Sequence, residues 1–298
     1  MRLPSMEKYM LIQITISGLA NGCLYALIGL GFVLIYKATE IVNFSQGEAV
    51  MIGGYIGFWL TYLFKLSFVT VYPLAIIGGV LVGYVISRPL WFLTNRKAPL
   101  FNIIVATVAI GMIVRSLARL VWSSESRAYL GPSFLKTITI SNIVITSENL
   151  FVFSITAFFI IIFYLFFFLS KTGTSMRASA QNPDAASLVG IEPKKVFTLT
   201  WVIGCALGAI GGVVYGPIAT IMPDSGFTII IKAFAAAVLG GFGSIPGVIV
   251  GGCLLGVTEN LAGLFIGTAL KDLISFIVII LVLILKPSGI LGVRIERV

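Results

Sequence analysis

The chain has 298 residues, of which 58% are apolar and only 10% are charged, with 20 Lys and Arg against 11 Asp and Glu. A soluble domain needs about 25% charged residues to cover its surface, so this composition predicts a protein whose solvent is largely lipid. The absence of His excludes a His general base, a His-led triad and a His metal site. Because the basic residues are scattered between apolar runs, they suit membrane topology better than nucleic-acid binding.

Long uncharged runs dominate the chain. The first extends from Tyr9 to Tyr36, and a helix needs only about 20 residues to cross about 30 Å of hydrocarbon. Runs of this length exclude barrel strands, which alternate over about ten residues. The sequence therefore predicts an all-α, polytopic membrane protein of about 8–9 transmembrane helices. The later candidate spans, of which the last three are short or rich in Gly, are Ala49–Phe64, Phe68–Ser87, Leu100–Trp122, Leu150–Ser170, Val196–Tyr215, Thr228–Phe242, Val248–Thr258 and Leu273–Leu285.

The charged segments between these runs predict the side of the membrane that each loop faces. Arg88–Lys97, Lys171–Lys195 and the C-terminal tail carry an excess of Lys and Arg, which places them in the cytoplasm by the positive-inside rule. Ser123–Asn149 is balanced in charge and is expected outside, and counting back places the N-terminus outside as well.

Two polar or helix-breaking segments resemble each other. Asn43–Glu48 is a polar, turn-rich hexapeptide, and Gly241–Gly247 is rich in Gly and contains Pro246; an offset of 198 lays Phe44 on Phe242. The pair predicts an internal two-half repeat with two re-entrant-type segments. Paired interruptions of this kind favour a translocation path at the repeat interface. For the glycines, plain close packing of helices is an equally good interpretation. The candidates for the pathway or for a subunit interface are Asn43, Phe44, Ser45, Gln46, Gly47, Glu48, Gly243, Ser244, Pro246 and Gly247.

The loop Lys171–Lys195 is the least apolar stretch of the chain. It predicts a helix of about two turns, with Asn182 as N-cap, Pro183 at the first helical position and Gly190 as C-cap. A helix this short is not stable alone, so we expect a partner surface to stabilise it. The simpler alternative is an ordinary solvated connecting loop. The residues assigned to this coupling loop are Asp184, Ala185, Ala186, Leu188 and Gly190.

Several charged residues fall within or beside the predicted spans. Arg115 and Arg119 lie four residues apart, so they share a helix face and could bind a ligand carboxylate or anchor the helix at the interface. Glu48 lies at the N-terminus of a predicted helix. Its negative charge could stabilise the helix dipole there, or it could bind the ammonium group of a substrate. Glu259 is a further substrate candidate, whereas Lys232 is expected to begin a span and to face the outer interface.

The sequence contains no recognisable set of catalytic residues. The three Cys lie far apart in apolar stretches, paired acids at helical spacing and Ser motifs are missing, and no Gly-x-x-x-x-Gly-Lys-Ser/Thr phosphate loop is present. The sequence thus predicts no catalytic residue, no metal site, no cofactor and no ATP hydrolysis by this chain.

Five motifs carry a resemblance that covers almost the whole chain. They are the segments Gly18–Leu27 with Gly29–Phe32, Ile41–Glu48, Asn182–Ile191, Lys232–Gly247 and Lys286–Gly292. In these the sequence resembles the inner-membrane permease subunits of branched-chain amino acid ABC importers. Asn-Phe-Ser-Gln-Gly-Glu and Gly-Ser-Ile-Pro-Gly are typical of that class. Asp184 stands where the general docking-loop pattern, Glu-Ala-Ala, has Glu, which keeps the charge.

The resemblance implies a machine with several subunits. It implies a second, related permease, two cytoplasmic ATPases, and a periplasmic or tethered binding protein, all at the bacterial cytoplasmic membrane. The loop at 171–195 would dock on an ATPase. The chain would be one transmembrane domain at 1–298, with spans at 9–170 and 196–286 and a cytoplasmic tail at 287–298. A stand-alone secondary transporter driven by an ion gradient is the alternative, because that class also uses repeats and broken helices. The resemblance leaves open whether the cargo is leucine, isoleucine, valine, another amino acid, urea or an amide.

Overall fold

The structure, a computed structural model, describes residues 3–129, 131, 137–140, 143–267 and 270–292. A two-stranded antiparallel hairpin, β1 (Ile138–Ile140) and β2 (Ile143–Ile145), accompanies the helices. The α-helices of these ranges are α1 (Leu3–Thr39), α2 (Gln46–Phe58), α3 (Phe68–Asn95), α4 (Leu100–Trp122), α5 (Ser147–Leu169), α6 (Lys171–Gln181), α7 (Pro183–Leu188), α8 (Pro193–Tyr215), α9 (Ser225–Gly240), α10 (Ile245–Ile266) and α11 (Lys271–Leu285).

The apolar helices confirm the predicted all-α membrane fold. Six of them, α1, α3, α4, α5, α8 and α10, are long and apolar enough to cross a membrane. Three more are shorter: α2, which a π-helical turn at Trp59–Leu63 extends, α9 and α11. Among the described residues, six helices are therefore long enough to span a membrane, against the eight or nine that the sequence predicted. The predicted span Val248–Thr258 corresponds to α10, which is longer than the prediction. The glycines do not interrupt this helix, which continues to Ile266.

The two central helices are α1 and α8. α1 packs along α10, and α8 packs along α3. Gly18 and Gly22 of α1 face the backbone of Gly256 and Gly252 in α10 so closely that neither site has room for a side chain. Such small residues let membrane helices approach for dispersion contact. Close packing therefore explains these glycines.

The helix groups α1–α4 and α8–α11 repeat one packing scheme. α1 packs on α10 as α8 packs on α3, and α2 packs on α8 as α9 packs on α1. Across the centre α1 meets α8 and α2 meets α9, where Gly47 and Gly226 touch reciprocally. This packing follows the pattern of a two-half repeat in which α2 corresponds to α9. The offset of 198 between the two broken segments was wrong, because it matched α2 to α10 by turn-rich composition alone.

The connecting loops divide between the two ends of the bundle. At one end, the segments near Lys37–Glu40, Trp91–Lys97 and Ser179–Lys194 surround a shared cavity, and Ile290 N donates to Leu239 O at 2.9 Å. The predicted cytoplasmic segments thus share one end, although Arg294 and Arg297 of the tail lie outside the described residues.

The opposite end holds the segment predicted to lie outside the cell. Arg127 and Ile221 exchange two backbone hydrogen bonds of 2.8 and 2.7 Å. Tyr129 inserts its ring beside Gly216, and its hydroxyl donates to Val213 O at 2.8 Å. Burial raises the pKa of this phenol well above its usual value, so the hydroxyl stays protonated and continues to donate.

Candidate translocation and coupling sites

The break between α1 and α2 is held together by its own polar side chains. Asn43 Oδ1 accepts from the backbone N of Ser45 at 3.0 Å and from its Oγ at 2.6 Å, while Asn43 Nδ2 donates to Gln46 Oε1 at 3.2 Å. Gln46 Nε2 donates across to Gly204 O of α8 at 2.7 Å. All three side chains are fully buried. These side chains therefore stabilise the turn between α1 and α2, and their hydrogen-bonding groups are not directed to an open cavity.

The hexapeptide places the start of α2 deep in the bundle. Phe44, which is exposed, donates its backbone N to Thr107 Oγ1 of α4 at 3.3 Å. Glu48, in the first turn of α2, lies beside Gly111, which is the midpoint of α4. Because α4 is long enough to cross a membrane, α2 begins near the middle of a span.

Four charged side chains meet where α2 starts. The NH2 nitrogen of Arg115 donates to Glu48 Oε1 at 2.5 Å, and its NH1 nitrogen approaches Asp224 Oδ1 at 3.4 Å. The NH2 nitrogen of Arg119 donates to both Asp224 oxygens at 2.9 and 3.1 Å. We call Glu48, Arg115, Arg119 and Asp224 the ionic cluster. The predicted shared face of the two arginines is confirmed, and their partners in this structure are carboxylates of the chain itself.

The ionic cluster is buried at one side and open at the other. The side chain of Glu48 is 2% exposed, that of Arg115 is 22%, and those of Arg119 and Asp224 are 45% and 64%. Glu48 Oε2 is buried and has no hydrogen-bond partner within the described part of the chain. The sequence reasoning missed Asp224, because it started the next span at Thr228 and treated the preceding turn as a loop.

The second broken segment contacts the chain's own C-terminal region. Ser244 caps α10 by accepting from Gly247 N at 3.1 Å, with Pro246 in the first turn. Gly241 has φ +111°, and a side chain there would meet the backbone of Gly292 and Ser288. The segment therefore serves as a seat for residues 288–292.

Glu259 is buried in an ion pair with Lys232. Lys232 Nζ donates to Glu259 Oε1 at 2.6 Å and approaches Asp272 Oδ1 at 2.8 Å. The expectation that Lys232 begins a span and faces the outer interface was wrong. It lies at the middle of α9 with its side chain 14% exposed, because two carboxylates from α10 and α11 compensate its charge.

The loop Lys171–Lys195 is more helical than its sequence predicted. α6 was missed; Ser170 Oγ caps it by accepting from Gly173 N at 2.9 Å. α7 is confirmed, with Asn182 Oδ1 accepting from Ala185 N at 2.9 Å and Pro183 at its first position. Gly190, at φ +85°, follows the C-cap by one residue.

The end of α7 presents apolar side chains to the surroundings. Leu188 and Val189 are 88% and 76% exposed, whereas Ala186 is buried. A cavity of about 860 Å³ separates α7 from the inner ends of α1 and α3, with Asp184, Lys37 and Lys97 among its lining residues. The coupling loop thus stands out from the bundle at the end that carries the basic segments.

Comparison with known proteins identifies the family. A family profile described as "Branched-chain amino acid transport system / permease component" matches residues 14–283. The chain belongs to this permease family. It is 34% identical to the high-affinity branched-chain amino acid transport permease BraD of Pseudomonas aeruginosa, over 96% of this chain and 97% of BraD. It is 35% identical to the corresponding permease LivH of Salmonella typhimurium, over 94% of this chain and 95% of LivH.

A solved structure shares the fold of this permease. The chain aligns with one described as "PsaBC from Streptococcus pneumoniae in complex with Fab", with a TM-score of 0.50 and 14% identity, over 93% of this chain and 91% of that one. The relatives are transport permeases and not enzymes. The chain is accordingly a multi-pass permease of the cytoplasmic membrane.

Proposed function

We propose that this permease is the membrane-spanning subunit of an ATP-driven importer, which translocates branched-chain or related amino acids by alternating access. Family membership and the names of BraD and LivH support the transport role and the class of cargo. The chain lacks a phosphate-loop motif, which fits ATP hydrolysis by separate partner subunits.

The ionic cluster is the observation that carries this proposal. Glu48 and Arg115 lie nearer the middle of the α4 span, whereas Arg119, in the last turn of α4, and Asp224 are about half exposed. A charge at membrane depth costs several kcal/mol against lipid, and such residues face a bundle interior or a water-filled cavity. This open face therefore lines the substrate route or the contact with a second permease. Asn43–Glu48 belongs to the same route as its structural support. In this proposal Gly243–Gly247, which lies in the seat for residues 288–292, contacts the second permease.

The coupling loop supports an external source of energy. Leu188 and Val189 are largely exposed in the most polar loop of the chain. Exposed apolar side chains of this kind are typical of a surface that a partner protein buries. A cleft on a cytoplasmic ATPase would take up α7, with Asp184, Ala185 and Gly190 at the contact. In this proposal residues 171–195 couple the two groups of spans, 9–170 and 196–286, to a cytoplasmic ATPase, and the tail 287–298 is cytoplasmic.

The complex would also contain a second, related permease and a binding protein that delivers the amino acid from outside. Affinity purification of the tagged chain, co-expressed with the products of neighbouring genes, tests this composition. We expect one partner permease and two ATPases to co-purify. Purification of the chain alone as an active carrier would instead favour a secondary transporter.

A further inference from the structure

We infer that the ionic cluster is a binding site for the zwitterionic head group of an α-amino acid, with Arg119 taking the carboxylate and Asp224 taking the ammonium. This inference rests on the proposed function and adds to it the chemistry by which the permease itself recognises its cargo.

The charge of the cluster suits a zwitterion. Two guanidinium groups face two carboxylates, so the cluster is neutral as a whole. A net charge brought into a membrane-embedded site is costly, whereas a neutral zwitterion adds none. Its carboxylate can accept two parallel hydrogen bonds from a guanidinium, and its ammonium can donate to a carboxylate.

The three ion pairs of the ionic cluster differ in accessibility. Glu48 with Arg115 is the most buried pair, whereas Asp224, which pairs with Arg119 at 2.9 Å and with Arg115 at 3.4 Å, is 64% exposed. An exposed pair contributes little to stability, so its partners can separate at small cost. A zwitterion that enters between them replaces one pair by two. The buried pair stays in place and keeps Arg115 at the rear of the site.

An unpaired acceptor points to a ligand. Glu48 Oε2 is buried and lacks a hydrogen-bond partner among the described residues, although a buried carboxylate oxygen without one is costly. It belongs to the carboxylate that forms the rear of the cluster, which lies in the first turn of α2. An ammonium that donates to Asp224 has further N–H groups that could satisfy this oxygen.

The surroundings of the cluster suit an apolar side chain. Phe227 is 55% exposed in the first turn of α9, and Arg115 lies over its ring at 5.9 Å from the centroid. Met222 is 41% exposed two residues before Asp224. A branched aliphatic group bound through its head group at Asp224 would pack on these side chains. The ligand class is therefore a zwitterionic amino acid with an apolar side chain.

Binding of labelled L-leucine to the assembled permease–ATPase complex, without its binding protein, tests this site. Leucinamide, which lacks the carboxylate, and 4-methylpentanoate, which lacks the ammonium, serve as competitors. We expect both to compete much more weakly than leucine with the wild-type complex. Asp224→Asn should weaken leucine binding about tenfold but leave competition by 4-methylpentanoate unchanged or stronger. Arg119→Gln should weaken leucine similarly and spare leucinamide.

Asp272→Asn is the matched control. Asp272 is 60% exposed and lies 2.8 Å from Lys232, so it resembles Asp224 in exposure and in pairing with a cation. It should leave the ligand profile unchanged. Asp224→Glu keeps the charge and should retain the preference for leucine, which separates loss of the site from loss of folding.

A reversed pair distinguishes a ligand site from a mere latch. Arg119→Asp combined with Asp224→Arg restores an ion pair but exchanges the two binding positions, so leucine binding should stay low. Wild-type binding and uptake in this double variant would overturn the inference. It would also fail if the single variants weakened all three ligands equally, or if the wild-type complex bound no leucine. ATP-driven leucine uptake by the wild-type complex is scored separately, so the transport function can stand while the site falls.

Discussion

Substitution of Gly47 by Ala tests the crossing of the two helices at the centre of the repeat. A Cβ on Gly47 would overlap the carbonyl of Gly226, and a Cβ on Gly226 would overlap that of Gly47. Both obstacles are backbone atoms, so no side-chain rotation can relieve them. Overpacking of this kind costs typically 1–3 kcal/mol. We expect the upper part of that range, because α2 and α9 must move apart and disturb the buried pair of Glu48 with Arg115.

Thermal unfolding of the purified permease measures this effect, with Gly111→Ala as the matched control. Gly111 lies beside the same cluster, but a Cβ there would meet Glu48 and Ser45 at an ordinary 3.5 Å. The control should be neutral or more stable by up to about 1 kcal/mol, since Ala favours the helix over Gly. Equal stability of Gly47→Ala and wild type would refute the direct contact of the two helices, and with it the described symmetry.

Three further predictions concern coupling, topology and the external segment. Gly190→Glu places a side chain at positive φ and a charge beside α7. We expect this variant to insert normally in the membrane but to lose both ATPase co-purification and uptake. If it retains both, the loop is only a connector between two spans. Reporter fusions at Gly173 and Gly131 should read cytoplasmic and periplasmic; the same side for both would remove the α5 span. Tyr129→Phe leaves the carbonyl of Val213 unpaired and should lower the free energy of unfolding by about 1–3 kcal/mol, whereas an unchanged melting temperature would contradict that hydrogen bond.

Much of the fold could be predicted from uncharged runs alone, because lipid demands long apolar helices whose backbone groups are satisfied internally. The capping chemistry at Asn182 and Pro183 predicted α7 for a local reason: both residues act within one helical turn. α6 was missed because its polar surface resembles a solvated loop, whereas in the structure it packs against α1, α5, α7 and α8.

The site was less predictable, because its partners are distant in sequence. The spacing of Arg115 and Arg119 predicted a shared face, but Asp224 lies 105 residues beyond Arg119 and carries no local signal. Likewise, the local sequence around Lys232 predicted an interfacial residue, whereas its partners Glu259 and Asp272 come from two later helices. Local composition identifies helices and caps, whereas the assembly of charges across helices depends on the tertiary fold.

Leucine uptake into proteoliposomes tests the central claim most directly. The chain is reconstituted with its partner permease and ATPases, the binding protein is added outside, and ATP is enclosed. We predict uptake that requires this chain and ATP hydrolysis and that persists when ionophores dissipate the ion gradients. Uptake by the chain alone, driven by an imposed proton or sodium gradient without ATP, would contradict the account.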